Sequence, residues 1–222
     1  MSKPIIVAVD EVELISFKRI VDSLDSNLCM VKIGSISFNA IGNKAIDYVA
    51  NKGFEIFLDL KFHDIPNTVK KSIEGLISLP ICMITIHASG GIAMMKAAKK
   101  AVNGTDIKIF GVTALTSLSN EDTLSIFRRN AAEQVDAMLD LAVKAGIDGV
   151  VCSPHELELV QNRKSLESIT PGIRLSESKD DQNRVMTPKE AFLKGANYLV
   201  IGRPITTAKD IKTALLEIHN SI

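Results

Sequence analysis

Short β-branched runs alternate with longer amphipathic stretches from one end of this 222-residue chain to the other. The runs are PIIVAVD (4–10), LCMVKIG (28–34), FEIFLDLK (54–61), CMITIHA (82–88), KIFGVTA (108–114), DGVVCS (148–153), ESITPGI (167–173) and NYLVIG (197–202). Between them lie helix-patterned stretches such as VELISFKRIVDSLD, TVKKSIEGLISL, GIAMMKAAKKAV, AAEQVDAMLDLAVKAG and PKEAFLKGA, and AKDIKTALLEIHNS follows the last run. Eight strand-then-helix units in a chain of this length predict an α/β fold, a (β/α)₈ TIM barrel rather than an open doubly wound sheet. The chain has no linker, low-complexity segment or shift in composition, which predicts a single catalytic domain over residues 1–222. Two stretches are too long and too polar for simple turns: LTSLSNEDTLSIFRRN after the fifth run and RLSESKDDQNRVMT after the seventh. Both are predicted to be loops opening on the barrel face at the strand C-terminal ends.

Composition narrows the chemistry. The 26 basic and 26 acidic residues cancel, without the basic excess of a nucleic-acid binder. No apolar run approaches the length of a membrane span. The opening MSKPIIVAVDEVEL reads as a first strand, not as a signal peptide. Cys29, Cys82 and Cys152 are odd in number, far apart and set in apolar runs, so they are expected to be reduced, buried packing residues of a cytoplasmic protein. The four histidines lack the paired spacing of a zinc site, and neither metal nor organic cofactor is expected.

The third run breaks its own pattern. In FLDLKFHDIPNTV (57–69), the ionisable Asp59, Lys61 and Asp64 crowd a strand end. Residues two apart on a strand share a face, so Asp59 and Lys61 should project side by side. An unpaired buried charge is costly, and a structural ion pair would explain this position alone. It does not explain Asp10, Lys32, His87, Ser89, Thr116, Ser117, Arg174 and Arg203, which fall at or just after the other strand ends. A ring of such groups around one barrel mouth reads as an active site. TPGIR (170–174) and IGRP (201–204) place glycines and arginines after the seventh and eighth strands, where barrels commonly hold phosphate. Pro204 suits the first turn of the helix that follows. Asp10, Lys32, Asp59, Lys61 and Asp64 form an alternating-sign cluster on the other side. A ligand with an anionic tail and a reactive head fits between the two zones.

The segments AVD (8–10), KIG (32–34), DLKFHDIPNT (59–68), HASGG (87–91), VTALTS (112–117), TPGIR (170–174) and VIGRP (200–204) resemble the bacterial-type orotidine 5′-phosphate decarboxylases over essentially the whole chain. The resemblance implies removal of carbon dioxide from orotidine 5′-phosphate to give uridine 5′-phosphate, without metal or cofactor. It implies that Lys61 stabilises the C6 carbanion and donates its proton, with Asp59, Asp64 and Lys32 around it. Asp10 and Lys32 would hold the ribose hydroxyls, Thr116 the pyrimidine, and Arg174, Gln182, Gly202 and Arg203 the phosphate. Asp64, Ile65 and Thr68 would reach the neighbouring subunit's site, giving a homodimer with composite sites. His63 and His87 are expected to be hydrogen-bonded structural residues rather than acid–base groups. Two alternatives stand beside this reading. Magnesium-dependent phosphosugar decarboxylases and synthases resemble the same barrel but need a carboxylate near the end of the second strand, where this chain has Lys32. A non-catalytic phosphate-ligand sensor would keep the phosphate loops but has no need of Asp59, Lys61 and Asp64 together.

Overall fold

The structure is a computed structural model that describes residues 3–174 and 186–222. Eight strands form in sequence order: β1 (Ile5–Val9), β2 (Cys29–Gly34), β3 (Ile56–Phe62), β4 (Met83–His87), β5 (Lys108–Val112), β6 (Gly149–Val151), β7 (Glu167–Thr170) and β8 (Tyr198–Ile201). Each pairs in parallel with the next, and β8 closes on β1, so the sheet is a closed barrel. The strands coincide with the eight β-branched runs, trimmed at their ends; only β3 runs on past its predicted limit, to Phe62.

Helices Leu14–Asp22, Pro66–Glu74, Gly91–Ala101, Ala131–Ala145, Pro188–Leu193 and Ile211–Asn220 fall on the amphipathic stretches. Two features depart from the sequence expectation. Between β2 and β3 the chain forms two helices, Ser35–Ile41 and Asn43–Asn51, joined at Gly42, whose φ of 68° suits a residue without Cβ. The polar stretch after β5 is not a plain loop, because it contains the helix Asn120–Phe127. A capping box starts that helix: the Asp122 N–H donates to the Ser119 hydroxyl, and the Ser119 N–H donates back to the Asp122 carboxylate. The ends of the stretch after β7 meet in a parallel bridge between Ile173 and Met186. Its middle, including Gln182, lies outside the described residues.

Apolar side chains pack in two shells. One fills the barrel, with Ala8, Met30, Phe57, Met83, Phe110 and Val200 among its members. The other lies between strands and helices and includes Phe17, Ile46, Ile73, Met94, Leu139 and Leu215. Stepping two residues along each strand keeps to the inward face. From the barrel floor those steps lead from Ala8 to Asp10, Met30 to Lys32, Phe57 to Asp59 and Met83 to Thr85. A packed apolar floor therefore turns polar at the strand C-terminal ends.

Cys29 and Cys152 are buried as expected, but Cys82 is only half-buried, because it sits just ahead of β4. Burial pushes the Cys29 thiol up to about 12 and the Cys82 thiol up to about 11, and raises Cys152 as well. Burial thus disfavours the thiolate form of all three. Among the described residues no helix is long and apolar enough to cross a membrane.

Candidate active site

The site begins with an irregularity in β3. Leu58 pairs with Ile84 and Phe62 with Ile86, so β3 carries more residues than β4 over the same interval. The surplus is a bulge, a device that re-aims side chains near functional sites. Lys61 lies inside it with φ 51°, in the left-handed region. For a residue with a Cβ that conformation costs roughly 1–2 kcal/mol, so the surroundings must hold it. They do so in two ways. The Lys61 N–H donates to Thr85 Oγ1 at 2.9 Å, and its Nζ lies 2.8 Å from both Asp59 oxygens. Asp59 and Lys61 stand side by side as strand alternation predicts, but a bulge rather than a regular strand brings them together.

The charges continue in a line. Lys32 Nζ lies 3.3 Å from Asp59 Oδ2 and 3.4 Å from Asp10 Oδ1. Lys32 and Asp59 are buried, whereas Asp10 opens to solvent. Burial alone would raise the Asp59 pKa, but the ammonium groups of Lys32 and Lys61 and the hydrogen bonds from Lys61 and Thr85 outweigh it. The net effect holds Asp59 below its ordinary value, as a carboxylate. Gly34 leaves room for the line, since a Cβ there would sit 2.8 Å from Lys32 Nζ and 3.1 Å from Asp10 Oδ1. Ser37, fully buried, anchors the residues on either side of Asp10: its hydroxyl accepts from the Glu11 N–H and faces the Val9 and Glu11 carbonyls, each at 2.8 Å.

Above the barrel floor is a cavity of about 500 Å³. Phe57, Val112, Ile169 and Val200 form its apolar base; Asp10, Lys32, Asp59 and Lys61 line one part of its wall. Thr116, Gly172, Arg174, Gly202 and Arg203 complete it. Arg174 is buried, with Nη1 donating to the Ile173 carbonyl at 3.0 Å. Arg203 is exposed and opens the short helix Arg203–Thr206, with Pro204 in its first turn. A larger groove of about 850 Å³ runs between residues 19–26 and 206–212. It is an open surface with paired charges such as Lys52–Asp22 and contains none of the strand-end groups.

Of the strand-end groups, His87, Ser89 and Ser117 do not line this cavity, nor do Asp64, Ile65 and Thr68. Asp64, Ile65 and Thr68 are exposed, with Ile65 67% accessible. The Asp64 carboxylate accepts the Ile65 N–H at 2.7 Å, at the entrance to the helix Pro66–Glu74. The His63 and His87 rings lie 5.2 Å apart, and among the described residues neither has a protein hydrogen-bond partner. Burial, then His63 and Lys61, lower the His87 pKa and favour its neutral form. Thr85 and Ser37 do not stand out in the sequence, because each is a small hydroxyl residue in an otherwise regular element. Among the described residues, no group of three or more His, Cys, Asp or Glu side chains is placed to hold a metal ion.

A closed eight-stranded barrel with charged and phosphate-binding residue types gathered at its strand ends is a (β/α)₈-barrel enzyme. The chain belongs to the orotidine 5′-phosphate decarboxylase / HUMPS family, whose match runs over residues 3–218. It is 45% identical over 228 residues to the orotidine 5′-phosphate decarboxylase of Shewanella sediminis, covering 100% of this chain and 97% of that one. It is 46% identical over 222 residues to the enzyme of the same name from Saccharophagus degradans, covering 96% and 92%. The crystal structure of orotidine 5′-phosphate decarboxylase from Lactobacillus acidophilus superposes with a TM-score of 0.87 at 37% identity, covering 99% of each chain.

Proposed function

We propose that the chain decarboxylates orotidine 5′-phosphate to uridine 5′-phosphate, the last step of de novo uridylate synthesis. Residues 1–222 act as one cytoplasmic catalytic domain. The observation that carries this reading is the continuous Asp10–Lys32–Asp59–Lys61 line, which shares one cavity with Arg174 and Arg203. The phosphate binds Gly202, Arg203, Arg174 and Gln182. The ribose meets Asp10 and Lys32, and the pyrimidine meets Thr116. This pose sets the C6 carboxylate beside Asp59 and Lys61.

Cleavage of the C6–carboxylate bond leaves its electron pair on C6, in an orbital the ring cannot readily delocalise. The Lys61 ammonium stabilises that charge and then donates the proton that completes the product. One such contact at about 4 Å contributes on the order of 4 kcal/mol at an effective dielectric near 20. Enzymes commonly supply roughly 8–23 kcal/mol. The rest comes from remote phosphate and ribose contacts, provided they are spent on orientation and closure. Lys32 occupies the β2 position where the magnesium-dependent reading needs an acid, which favours a metal-free reaction. Offered orotidine 5′-phosphate and, separately, a hexulose phosphate, the purified protein should consume only the first. Consumption of only the second would replace this reading with the phosphosugar one.

The phosphate assignment has its own test. Arg203→Ala should lower kcat/KM for orotidine 5′-phosphate about 10–150-fold, the worth of one hydrogen bond to a charged group. Turnover of the nucleoside orotidine, which lacks the phosphate, should change less than about threefold. Equal proportional losses would place Arg203 elsewhere in the reaction.

The working form is a homodimer with two composite sites, without nucleic-acid or membrane partners. Asp64, Ile65 and Thr68 of one protomer complete the cavity of the other. Support comes from their absence from their own cavity wall and from the apolar groups exposed at neighbouring strand exits. Ile65, Ile36, Val12 and Ile15 are 67%, 53%, 60% and 83% accessible, and all follow the C-terminal ends of β1, β2 or β3.

A further inference from the structure

Thr85 is fully buried on the inward face of β4, two residues above Met83 of the barrel floor and two below His87. Its hydroxyl has two partners, both from β3. It accepts the Lys61 N–H at 2.9 Å and donates to Asp59 Oδ1 at 2.9 Å. The direction is fixed, because an ionised carboxylate can only accept. The bulge takes the Lys61 N–H out of the regular β3–β4 ladder, so this hydroxyl satisfies a backbone donor that would otherwise be orphaned. One oxygen atom thus ties the left-handed backbone of Lys61 to the carboxylate that its own Nζ contacts.

We infer that Thr85 is a positioning residue for the decarboxylation, setting both the backbone conformation of Lys61 and the orientation of the Asp59 carboxylate. The inference rests on the proposed function for its kinetic meaning, but its geometric content stands apart from it. Thr85 does not line the cavity and touches no substrate; it acts through Lys61 and Asp59. Asp59 faces Lys32 from β2, Lys61 from β3, and Thr85 and His87 from β4, with Asp10 one step further along through Lys32. Among these groups Thr85 is the neutral donor. Deleting its hydroxyl removes a hydrogen bond to the charged form of Asp59 and leaves the surrounding formal charges unchanged.

The test compares Thr85→Val, which keeps the shape and loses the hydroxyl, with Thr85→Ser, which keeps it. In Thr85→Val, kcat should fall about 100-fold with KM within about threefold, as expected for misplacement of reacting groups by an ångström or less. Thr85→Ser should stay within about fivefold of the parent. Loss of a donor to the carboxylate raises its pKa, so the acid limb of kcat in Thr85→Val should move to higher pH by about one unit. Crystal structures supply a reading independent of activity. Lys61 should leave the left-handed region in Thr85→Val and remain there in Thr85→Ser. If Thr85→Val does not fold, Thr85→Ala makes the same deletion and carries the same expectations. A parent without activity on orotidine 5′-phosphate would overturn the proposed function, and the crystal structures would still decide the positioning role. The inference is overturned if the hydroxyl-free variant keeps kcat within twofold, if Thr85→Ser loses as much as Thr85→Val, or if Lys61 stays left-handed without the hydroxyl.

Discussion

Lys61→Ala should lower kcat by at least about 10⁴-fold while uridine 5′-phosphate still binds within about tenfold of the parent affinity. The size follows from two losses at one atom. In the proposed reaction Nζ supplies both the positive charge that stabilises the C6 carbanion, a role typically worth two to three decades, and the proton that quenches it, typically worth two to four. Among the described residues no neighbour is placed to take over either role. Lys32 is held between Asp59 and Asp10, and burial favours the neutral form of His87. The fold should survive, because Asp59 retains Lys32 at 3.3 Å and the Thr85 hydroxyl at 2.9 Å. Measured turnover within tenfold of the parent would remove Lys61 from the chemistry. Loss of nucleotide binding together with turnover would make its role one of binding.

The second large effect is a recovery. Lys61→Ala and Asp64→Ala should each be inactive alone, yet unfolding and remixing equal amounts should restore about a quarter of parental activity. With random pairing half the dimers are mixed. Each mixed dimer has one site that takes intact Lys61 and intact Asp64 from different chains, and one site that lacks both. The expectation rests on Asp64 being exposed, bonded to the Ile65 N–H and absent from its own chain's cavity wall. If Asp64 serves its own protomer, every site in the mixture is defective and no activity returns. Size measurement on the remixed sample separates that result from a failure to dimerise.

The barrel was legible because each strand must bury both faces, which writes runs such as IIVAV and YLVI into the chain. The wall groups were legible for a related reason. Asp10, Lys32 and Asp59 are the first polar residues met on the inward faces of their strands, two positions above Ala8, Met30 and Phe57. What stayed hidden has backbone rather than side-chain causes. A left-handed Lys61 has no glycine to announce it, and a bulge depends on the register of β4 as much as on β3 itself. Thr85 looks like any β-branched strand residue until that register is known. The helix Asn120–Phe127 was obscured by its polar surface, although Ser119 followed by Asp122 was a capping signal in plain view. His63 and His87 looked suited to hydrogen bonds by residue type, but whether a partner stands opposite is decided by tertiary placement.

The most direct measurement follows the ultraviolet absorbance of orotidine 5′-phosphate with the purified protein in excess EDTA, with carbon dioxide and uridine 5′-phosphate quantified at the end. Because the proposed reaction draws its positive charge from Lys61 and Lys32, one carbon dioxide should form for each uridine 5′-phosphate, at a rate that neither EDTA nor added magnesium changes. No uridine 5′-phosphate, or turnover that EDTA abolishes and magnesium restores, would contradict it.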